Sequence, residues 1–470
     1  MNSHIPRRTF LKGIFAASAL SAMPSLPVFA KTKSEKAPAS SRVNLACVGI
    51  GNRGADDVEG LMKTGLANLV ALCDVDMGAK HTQKILQKYP DVPRFQDFRQ
   101  MLDKMGKHID AVSVGTPDFS HFPITMMAMT MGKHVYVEKP MAHTFQECEL
   151  MMQAEKKYKV AAQMGNQGHS GENYFQFKAW TEAGIIKDVT RIVAHMNSPR
   201  RWHGWHITGF PPAEPIPSTL DWDKWLTTAP FRDFNHDYVN GQWRCWYEFG
   251  NGALGDWGAH ILDTAHEFLD LGLPEQVNAV HEDGPNPFIF PQASTLSFHF
   301  PSRGTMPPVE VFWYDGVKNA PPLPKDFGDA VYSADVPPPT SGKLEAKLSP
   351  GKEIYSKELV FKGGSHSSPL QIVPKSKMEE MKSKLPRVEG KHSDHYKNFL
   401  LACKGEEKCR SNFAVAGPLS QLMVMGVIAQ RLNTKLTFDR ATKQFTDNKV
   451  ANDLLVGPPP RKGWEQYYKV

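Results

Sequence analysis

The sequence predicts an α/β protein of two domains. The first is built on a parallel sheet with helices on both faces, and the second on a large, mostly antiparallel open sheet. Three observations support this fold class: short apolar runs alternate with amphipathic stretches from Val43 onward, longer and partly alternating strands follow Gln163, and 470 residues suffice for about two to three domains.

The first domain is predicted to span residues 43–164. Helical stretches begin near Ala55 and cover Phe119–Met131 and Thr144–Tyr158. Strands separated by helices in this way imply parallel pairing with right-handed crossovers. The predicted strands are Val43–Val48, Asn68–Cys73, Ala111–Val114, His134–Val137 and Val160–Gln163.

The second domain is predicted to span residues 165–440, with a C-terminal tail over 441–470. Its partly alternating strands favour an antiparallel sheet with one face covered by helices. Residues 316–390, rich in Pro, Gly, Ser and Lys, are predicted to form long loops. The predicted elements are the strands Val189–Met196, Gln276–His281, Ser294–Phe300 and Val309–Tyr314 and the helices His392–Cys403 and Phe413–Asn433.

The first 30 residues have the pattern of an export signal. The basic run Arg7-Arg8-Thr9-Phe10-Leu11-Lys12 precedes an apolar stretch that ends in Val28-Phe29-Ala30. Such a pattern is typical of a cleaved signal peptide, and the paired arginines resemble a twin-arginine signal. A general secretory signal that carries two arginines is the alternative. We expect an exported, periplasmic protein with a flexible linker over residues 31–42.

Charge and cysteine content exclude several classes of partner. The net charge of +6 is modest, and Lys and Arg are spread along the chain, so no nucleic-acid partner is expected. Beyond the signal no run reaches the ~20 apolar residues of a membrane span, so no membrane partner is expected for the mature protein. Cys47 and Cys73 fall in predicted buried strands, Cys403 and Cys409 are close enough in sequence to pair, and no spacing resembles a metal site.

A glycine-rich turn follows the first strand. In Gly49-Ile50-Gly51-Asn52-Arg53-Gly54 the first glycine permits a tight turn, the second a close approach to a pyrophosphate, and the third close packing of the next helix. Asp74 follows the second strand, where a carboxylate binds ribose hydroxyls and repels a 2′-phosphate. The pattern predicts a Rossmann domain that binds NAD rather than NADP; a plain glycine turn with an incidental Asp is the alternative.

Two further clusters carry candidate chemistry. Glu138-Lys139-Pro140 ends the strand that begins at His134, at the sheet edge where ligands bind, although a Lys exposed beside a Pro-ended strand is the alternative. If a helix begins near Asp256, then Asp256 and His260 are four residues apart on one face, which Asp263 could share. Such a pair can accept a proton from an alcohol, but an N-terminal Asp cap with a core His gives the same pattern.

These motifs, in this order, resemble the glucose–fructose oxidoreductase/inositol dehydrogenase (Gfo/Idh/MocA) family, as does Thr116-Pro117-Asp118-Phe119-Ser120-His121. The resemblance covers about residues 43–440 and is weakest over 316–390. It implies a Rossmann domain and an α/β domain whose open sheet often mediates oligomers, so a homo-oligomer, dimer or tetramer, is expected.

The resemblance also implies roles for single residues. Lys139 would lie between the nicotinamide and the substrate hydroxyl, His260 would accept the proton, and Asp256 would orient His260 or bind a neighbouring hydroxyl. The implied cofactor-binding residues are Gly49, Gly51, Asn52, Arg53, Gly54, Asp74, Thr116, Pro117, His121, Glu138 and Lys139, and the implied substrate-binding residues are Lys139, Asn166, Arg201, Trp202, Trp243, Asp256 and His260.

Six of the ten tryptophans fall between Trp202 and Trp246, with Arg and His among them. Aromatic faces beside hydrogen-bonding side chains suit a sugar ring, and the Arg and His side chains would also suit an acidic or phosphorylated substrate. The alternative is that the tryptophans brace an irregular loop or a subunit contact. His203 and His206 alone do not indicate a metal.

The function predicted is that of an NAD(P)-dependent oxidoreductase acting on CH–OH groups, which moves a hydride to or from a ring carbinol of a sugar or cyclitol. Because soluble NAD is scarce outside the cytoplasm, we expect the cofactor to be tightly bound. The alternatives are an NAD-dependent, redox-neutral glycoside-cleaving enzyme that acts through a transient keto sugar, and a nucleotide-binding structural or sensory protein.

Overall fold

A parallel sheet forms the first domain, as predicted; it has six strands, one more than the five expected, because the short strand Arg94–Phe95 was not predicted. The computed structural model describes residues 42–196, 203–204, 207–316, 318–322, 349–388 and 390–470. The strands lie in the order β3-β2-β1-β4-β5-β6, so the chain reverses direction across the sheet between β1 and β4. The strands are β1 (Val43–Val48), β2 (Ala67–Cys73), β3 (Arg94–Phe95), β4 (Ala111–Val114), β5 (His134–Val137) and β6 (Ala162–Met164).

Helices connect these strands because each stretch between them has an apolar side to bury against the sheet. The two faces form separate clusters, one with Val112 and Phe122 and the other with Leu45 and Tyr136. The switch between β1 and β4 opens a crevice at the carboxyl ends of the strands, where α/β proteins bind ligands. The helices are α1 (Arg53–Lys63), α2 (Gln83–Lys88), α3 (Phe98–Met105), α4 (His121–Thr130) and α5 (Phe145–Tyr158).

The second domain contains a nine-stranded sheet in the order β13-β12-β11-β7-β10-β9-β8-β14-β15. β7 and β10 pair in parallel and the other neighbours are antiparallel, in agreement with the predicted open sheet. Its strands are β7 (Val189–Met196), β8 (Gln276–Asp283), β9 (Ala293–Phe300), β10 (Val309–Gly316), β11 (Gly351–Ser356), β12 (Val360–Gly364), β13 (Gln371–Val373), β14 (Lys435–Asp439) and β15 (Gln444–Phe445).

The prediction of long loops over residues 316–390 is wrong for much of their described part. β11, β12 and β13 lie there, followed by a helix at Lys375–Met381. The strands were missed because they carry buried charges instead of an apolar run: Lys352, Glu353 and Lys362 are all buried. Glu353 Oε1 lies within hydrogen-bonding distance of His195 Nε2 of β7 (3.0 Å).

One long helix fills the core between the two sheets. Phe413–Leu432 is long and apolar enough to cross a membrane, but 78% of its most apolar stretch is buried inside the protein, where it packs on α5 and on Gly252–Ile261. All six cysteines are free thiols, including Cys403 and Cys409. The remaining helices are α6 (Glu172–Glu182), α7 (Trp222–Leu226), α8 (Gly252–Ile261), α9 (Asp263–Phe268), α10 (Lys375–Met381), α11 (His395–Cys403), α12 (Phe413–Leu432) and α13 (Lys449–Val456).

The last part of the chain returns to the first domain. In α11, Tyr396 and Phe399 pack against Tyr136 of β5, with ring centroids 5.5 and 5.6 Å away. Residues 441–470, predicted only as a tail, contain β15, α13 and a 3-10 turn at Glu465–Tyr468. Trp464 is buried there because its ring packs on Phe98 of α3.

Candidate active site

A cavity of about 410 Å³ lies at the carboxyl ends of β1, β2, β4 and β5. Both domains contribute to its walls. Its lining from the first domain includes Gly49, Gly51, Asn52, Arg53, Asp74, Thr116, Pro117, Asp118, Glu138 and Lys139, and its lining from the rest of the chain includes Trp225, Thr227, Trp243, Arg244, Asp256 and Trp464.

The glycine turn at the end of β1 has no room for larger side chains. Gly49 has φ +77°, and a Cβ there would lie 2.7 Å from the backbone of Gly115. At Gly54 a Cβ would lie 2.0 Å from the carbonyl oxygen of Gly49. The ring of His81 takes the space beside Gly51, so a Cβ at that position would lie 1.9 Å from it. The turn and α1 therefore pack backbone against backbone, as a pyrophosphate cradle requires.

Asp74 follows β2 and faces this turn. Its Oδ2 accepts a hydrogen bond from the Ile50 amide (3.0 Å), and its Oδ1 accepts one from the Asp76 amide (3.0 Å). Burial raises the pKa of Asp74, although these two amide donors oppose that rise. The Asp74 carboxylate is therefore fixed beside the glycine turn, where the sequence predicts the contact with the ribose.

Arg53 is fixed by three partners, two in the first domain and one, Tyr396, in α11. Its Nε donates to Glu138 Oε1 (3.2 Å), and its Nη2 donates to Asp57 Oδ1 (2.8 Å) and to the hydroxyl of Tyr396 (2.5 Å). Gln167 Nε2 donates to the same Glu138 oxygen (2.9 Å). Burial works against ionisation of Glu138, but the charges of Arg53 and Lys139 outweigh it and lower the pKa of Glu138. Glu138, which lines the cavity, thus connects Arg53 and Gln167 through hydrogen bonds.

Lys139 and Asp256 meet in the cavity. The Lys139 ammonium donates to Asp256 Oδ1 (2.5 Å) and to the Asp256 carbonyl oxygen (2.6 Å); the Asp256 side chain is buried and that of Lys139 is 10% exposed. Arg244 Nε lies 3.6 Å from the same carboxylate oxygen. The peptide bond between Lys139 and Pro140 is cis. Two domains therefore bring two cations and a carboxylate together, although the residues are distant in sequence.

His260 lies one turn beyond Asp256 on α8, as the predicted spacing requires. Burial, followed by the nearby charge of Lys139, holds the pKa of His260 well below its usual value, so the imidazole is neutral at pH 7. Its ring stacks on His366 with centroids 4.0 Å apart. Nδ1 is buried and has no hydrogen-bond partner among the described residues. A neutral ring with an unused nitrogen is able to accept a proton.

Several predicted site residues lie outside the cavity lining, among them Gly54 and His260, which is buried one turn beyond Asp256. His121 is buried behind the wall, with Nδ1 2.8 Å from the Pro140 carbonyl oxygen and Nε2 2.8 Å from that of Thr116. It braces the wall instead of facing a ligand. Asn166 is also buried, and neither atom of its amide has a hydrogen-bond partner among the described residues. Arg201 and Trp202 lie outside the described part of the chain.

The sequence allowed Asp263 to share a helix face with Asp256 and His260, but α8 ends at Ile261, before Asp263. Asp263 begins the next helix, α9, and accepts from His169 Nδ1 (3.2 Å) instead of entering the cavity. His169 Nε2 forms an ion pair with Glu267 (2.8 Å). These residues form a separate buried charge cluster.

Sequence reasoning missed Asp118, which lines the cavity. Asn251 donates to its Oδ2 from both the backbone amide (3.1 Å) and the side chain (3.2 Å). Burial raises the pKa of Asp118 to about 7, while Arg244 opposes the rise. The sequence did contain a signal for Asp118, because this residue lies inside the Thr116–His121 motif. Only cofactor-binding residues were predicted from that motif.

The described tryptophans between residues 203 and 246 divide between packing and the cavity wall. Trp222 and Trp225 stack with centroids 4.6 Å apart, and Trp246 is fully buried. Trp225 and Trp243 reach the cavity, where the Arg244 guanidinium lies 4.1 Å from the Trp243 ring centroid. Among the four tryptophans that the structure describes in this segment, Trp222 and Trp246 serve packing, and Trp225 and Trp243 contribute to the cavity wall.

The doubly wound sheet, its glycine turn and the charged groups beside it define a nucleotide-binding oxidoreductase class. The chain belongs to the Gfo/Idh/MocA oxidoreductase family: residues 43–166 match its NAD-binding Rossmann fold, and residues 189–283 match its C-terminal α/β domain.

Curated relatives are similar in sequence to part of this chain. A glycosyl hydrolase family 109 protein of Shewanella baltica (strain OS185) is 31% identical over 190 residues, which cover 36% of this chain and 41% of that protein. An α-N-acetylgalactosaminidase of Shewanella oneidensis is 30% identical over 190 residues, with the same two coverages. The chain thus spans about two fifths of the length of these relatives.

Solved structures share the fold along most of the chain. The WlbA dehydrogenase of Bordetella pertussis, solved with NADH and UDP-GlcNAcA, superposes with a TM-score of 0.54 at 14% identity, covering 85% of this chain and 99% of that one. The aldose-aldose oxidoreductase of Caulobacter crescentus gives 0.53 at 15% identity, covering 84% and 100%. At these identities the comparison establishes the fold.

Proposed function

We propose that this protein is an NAD(H)-dependent oxidoreductase that moves a hydride to or from a ring carbinol of a sugar or cyclitol. The observation that carries the proposal is the placement of Lys139 and Asp256 in the cavity at the carboxyl edge of a sheet that also holds a glycine cradle, with the neutral His260 buried one turn further along α8. A fixed ammonium and a neutral imidazole are the groups that alcohol oxidation needs from the protein.

The residues of the cavity fit a dinucleotide. The glycine turn and the first amides of α1 would hold the pyrophosphate, and Asp74 would bind the ribose and disfavour a 2′-phosphate, so NAD is preferred over NADP. Thr116 Oγ1, Thr227 Oγ1 and Asp76 Oδ1 are buried in the cavity lining and have no hydrogen-bond partner among the described residues. When bound, the nicotinamide supplies C4 as hydride donor or acceptor.

The chain's own residues would divide the remaining work. Lys139, held by Asp256, donates to the substrate hydroxyl and fixes its direction. His260 takes the hydroxyl proton when the alcohol is oxidised and returns it when a ketone is reduced. Asp118 accepts a neighbouring hydroxyl through Oδ1, to which no described residue donates. Trp243 offers a flat apolar face to the ring.

A second candidate is redox-neutral cleavage of a glycoside through a transient keto sugar. The glycosyl hydrolase family 109 relatives favour it, as does Asp118, whose pKa of about 7 leaves a protonated fraction at neutral pH. A protonated carboxyl in the cavity is able to donate to a leaving oxygen, as a general acid does.

Export and NAD dependence are compatible if the cofactor travels inside the folded protein. We propose twin-arginine export to the periplasm with NAD already bound, based on Arg7-Arg8-Thr9-Phe10-Leu11-Lys12. We also propose a homo-oligomer that associates through the open face of the nine-stranded sheet, where Phe312, Tyr314 and Tyr355 are partly exposed. Light scattering on the mature protein tests the assembly, and cell fractionation tests the export.

One experiment tests the main proposal. The purified protein is incubated with a panel of sugars, cyclitols and nitrophenyl glycosides while nicotinamide absorbance and nitrophenol release are followed together. We expect an absorbance change with free sugars and no nitrophenol release. Nitrophenol release without net change in nicotinamide would favour the second candidate, and a protein that neither binds NAD(H) nor responds to any panel member would overturn both.

A further inference from the structure

We infer that residues 457–470, here called the C-terminal strap, form an outer wall of the dinucleotide cavity and slow the release of the cofactor. This inference rests on the proposed function and deepens it, since it names the part of the chain that retains an adenine dinucleotide. The strap lies far in sequence from every motif of the nucleotide site. Its contacts reach both domains beside the cavity.

Trp464 places the strap in the cavity wall. The residue is 4% exposed and lines the same cavity as Asp74 and Lys139. Its indole packs on Phe98 with centroids 6.0 Å apart, and the Arg99 guanidinium lies 4.5 Å from its ring centroid. Arg99 is itself held by Asp97 (2.8 Å). The indole is therefore held in place by α3 and its N-terminal cap.

The end of the strap is anchored to the first domain. The Tyr468 hydroxyl donates to Glu147 Oε1 (2.7 Å), and its ring packs on Phe122 with centroids 4.6 Å apart. Tyr467 is buried against Phe98 (6.4 Å). These contacts join the strap to α3, α4 and α5, the helices that follow the nucleotide-binding strands.

The start of the strap is anchored to α7 and the turn after it. Arg461 donates from Nη2 to the Asp223 carbonyl oxygen (2.6 Å) and from Nε to the Thr227 carbonyl oxygen (2.9 Å). Its Nη1 also lies 2.5 Å from Asp223 Oδ1. The same segment contains Lys224, Trp225 and Thr227, which line the cavity.

Thr227 places a polar group without a described partner in the cavity wall at this junction. It has φ +41°, an unfavourable backbone conformation for a residue with a branched side chain. Its hydroxyl is buried in the cavity wall without a hydrogen-bond partner among the described residues. Arg461 donates to the Thr227 carbonyl oxygen, and this hydrogen bond fixes the backbone that carries the hydroxyl.

The strap therefore fastens a cavity wall from the second domain to helices of the first. A dinucleotide spanning the cavity leaves when these walls separate, and separation breaks the Arg461 bonds or moves Trp464 from Phe98. The strap contributes to retention by slowing dissociation. Affinity differences among variants of one site usually appear in the dissociation rate.

The test measures release of bound NADH from the full-length mature protein. Trp464→Ala and Arg461→Ala are compared with wild type and with Lys462→Ala, an exposed neighbour in the same strap. Bound NADH is chased with excess NAD, and the loss of its fluorescence gives the dissociation rate. We expect release about tenfold faster in the first two variants, equivalent to about 1.4 kcal/mol, and a wild-type rate in Lys462→Ala.

Controls separate retention from folding and from the proposed function. Trp464→Phe keeps an aromatic ring on Phe98 and should release NADH at close to the wild-type rate; thermal unfolding of every variant shows that it is folded. If the folded Trp464→Ala and Arg461→Ala proteins release NADH at the wild-type rate, the proposed role of the strap in retention is wrong. The proposed function would still stand. A wild-type protein without affinity for NAD(H) would overturn both.

Discussion

At the scale of single residues, the Lys139–Asp256 pair determines what the cavity can bind. The ammonium makes two bonds to one residue, so its direction is fixed, and no residue that the structure describes accepts its third proton, which can meet a substrate oxygen. Loss of Asp256 leaves the Lys139 ammonium without its carboxylate, and loss of Lys139 leaves the buried Asp256 with Arg244 alone, 3.6 Å away; both losses are unfavourable. The pair is therefore a sensitive target for mutation.

Asp256→Asn keeps the shape of the side chain and removes its charge. We expect kcat to fall by about 10²-fold or more, because Lys139 is no longer held by a carboxylate, while NAD(H) affinity is unchanged. Steady-state kinetics and a nucleotide titration measure the two effects. Asp91→Asn, at an exposed position, is the matched control. A variant with normal kcat would remove Asp256 from the mechanism.

Asp118 predicts the pH dependence of activity. Its pKa is raised to about 7, so it is mostly protonated below that pH and ionised above it. If the carboxylate accepts a substrate hydroxyl, kcat/KM rises as pH increases through about 7, and this limb is absent in Asp118→Asn. The measurement is a pH profile of both proteins. A limb that falls over the same pH range and disappears in the variant would indicate an acid and favour glycoside cleavage.

The residues that sequence could identify are those that stand inside contiguous motifs. Lys139, Asp256 and Asp74 were predicted from strand ends and helical spacing, and all three line the cavity. Thr227 and Trp464 could not be predicted, because packing alone brings them to the wall. His121 was placed with the cofactor residues by its motif, although its ring is occupied by two backbone carbonyls.

At the scale of elements, close backbone packing defines the nucleotide end of the cavity. α1 begins against the turn that precedes it, and Gly54 is the contact point. The same principle acts in α8, where a Cβ at Gly258 would lie 2.8 Å from Met423 Sδ of α12. Small residues at these crossings let elements approach more closely than side chains allow.

Gly54→Ala should therefore disrupt the turn. The new Cβ would lie 2.0 Å from the Gly49 carbonyl oxygen, and a backbone atom cannot move aside as a flexible side chain does. We expect a loss of about 1–3 kcal/mol in the free energy of unfolding and loss of NAD(H) binding. Gly209→Ala, which meets no atom within 4 Å, is the control. Chemical denaturation and nucleotide titration measure both effects, and normal binding by the Gly54 variant would contradict the cradle.

Elements with an apolar pattern were predictable and those with buried charges were not. β4, β5 and β7 have the bounds expected from their apolar residues. β11 and β12 contain Lys352, Glu353 and Lys362, which look like surface residues until their partners are known. Prediction from periodicity assumes that apolar residues are buried and charged residues are exposed. A strand that buries charged groups breaks this assumption and is therefore not predicted.

At the scale of the whole molecule, a buried ion cluster joins the end of the first domain to α9. Burial alone would lower the pKa of His169, but Asp263 and Glu267 outweigh it and raise that pKa to about 9. Folding therefore favours the protonated ring. The stabilisation is complete below the unfolded pKa of about 6.5 and is lost as pH rises through about 9.

His169→Gln should remove this pH dependence. In wild type, we expect this group's contribution to the free energy of unfolding to decrease by roughly 3 kcal/mol between about pH 6 and about pH 10, from the pKa difference. The variant should be less stable at the acidic end of this range and closer to wild type at the alkaline end. Urea denaturation at both pH values measures the difference. An equal gap between the two proteins at both pH values would contradict the assignment.

The return of the chain to its first domain has a consequence for synthesis. Phe399 of α11 and Trp464 of the strap complete the packing around β5 and α3, which are made much earlier in the chain. The ribosome must therefore release nearly the whole polypeptide before the earliest-made half can mature. The packing of the first domain is therefore completed only after synthesis, as the proposed export of a folded protein with bound NAD would require.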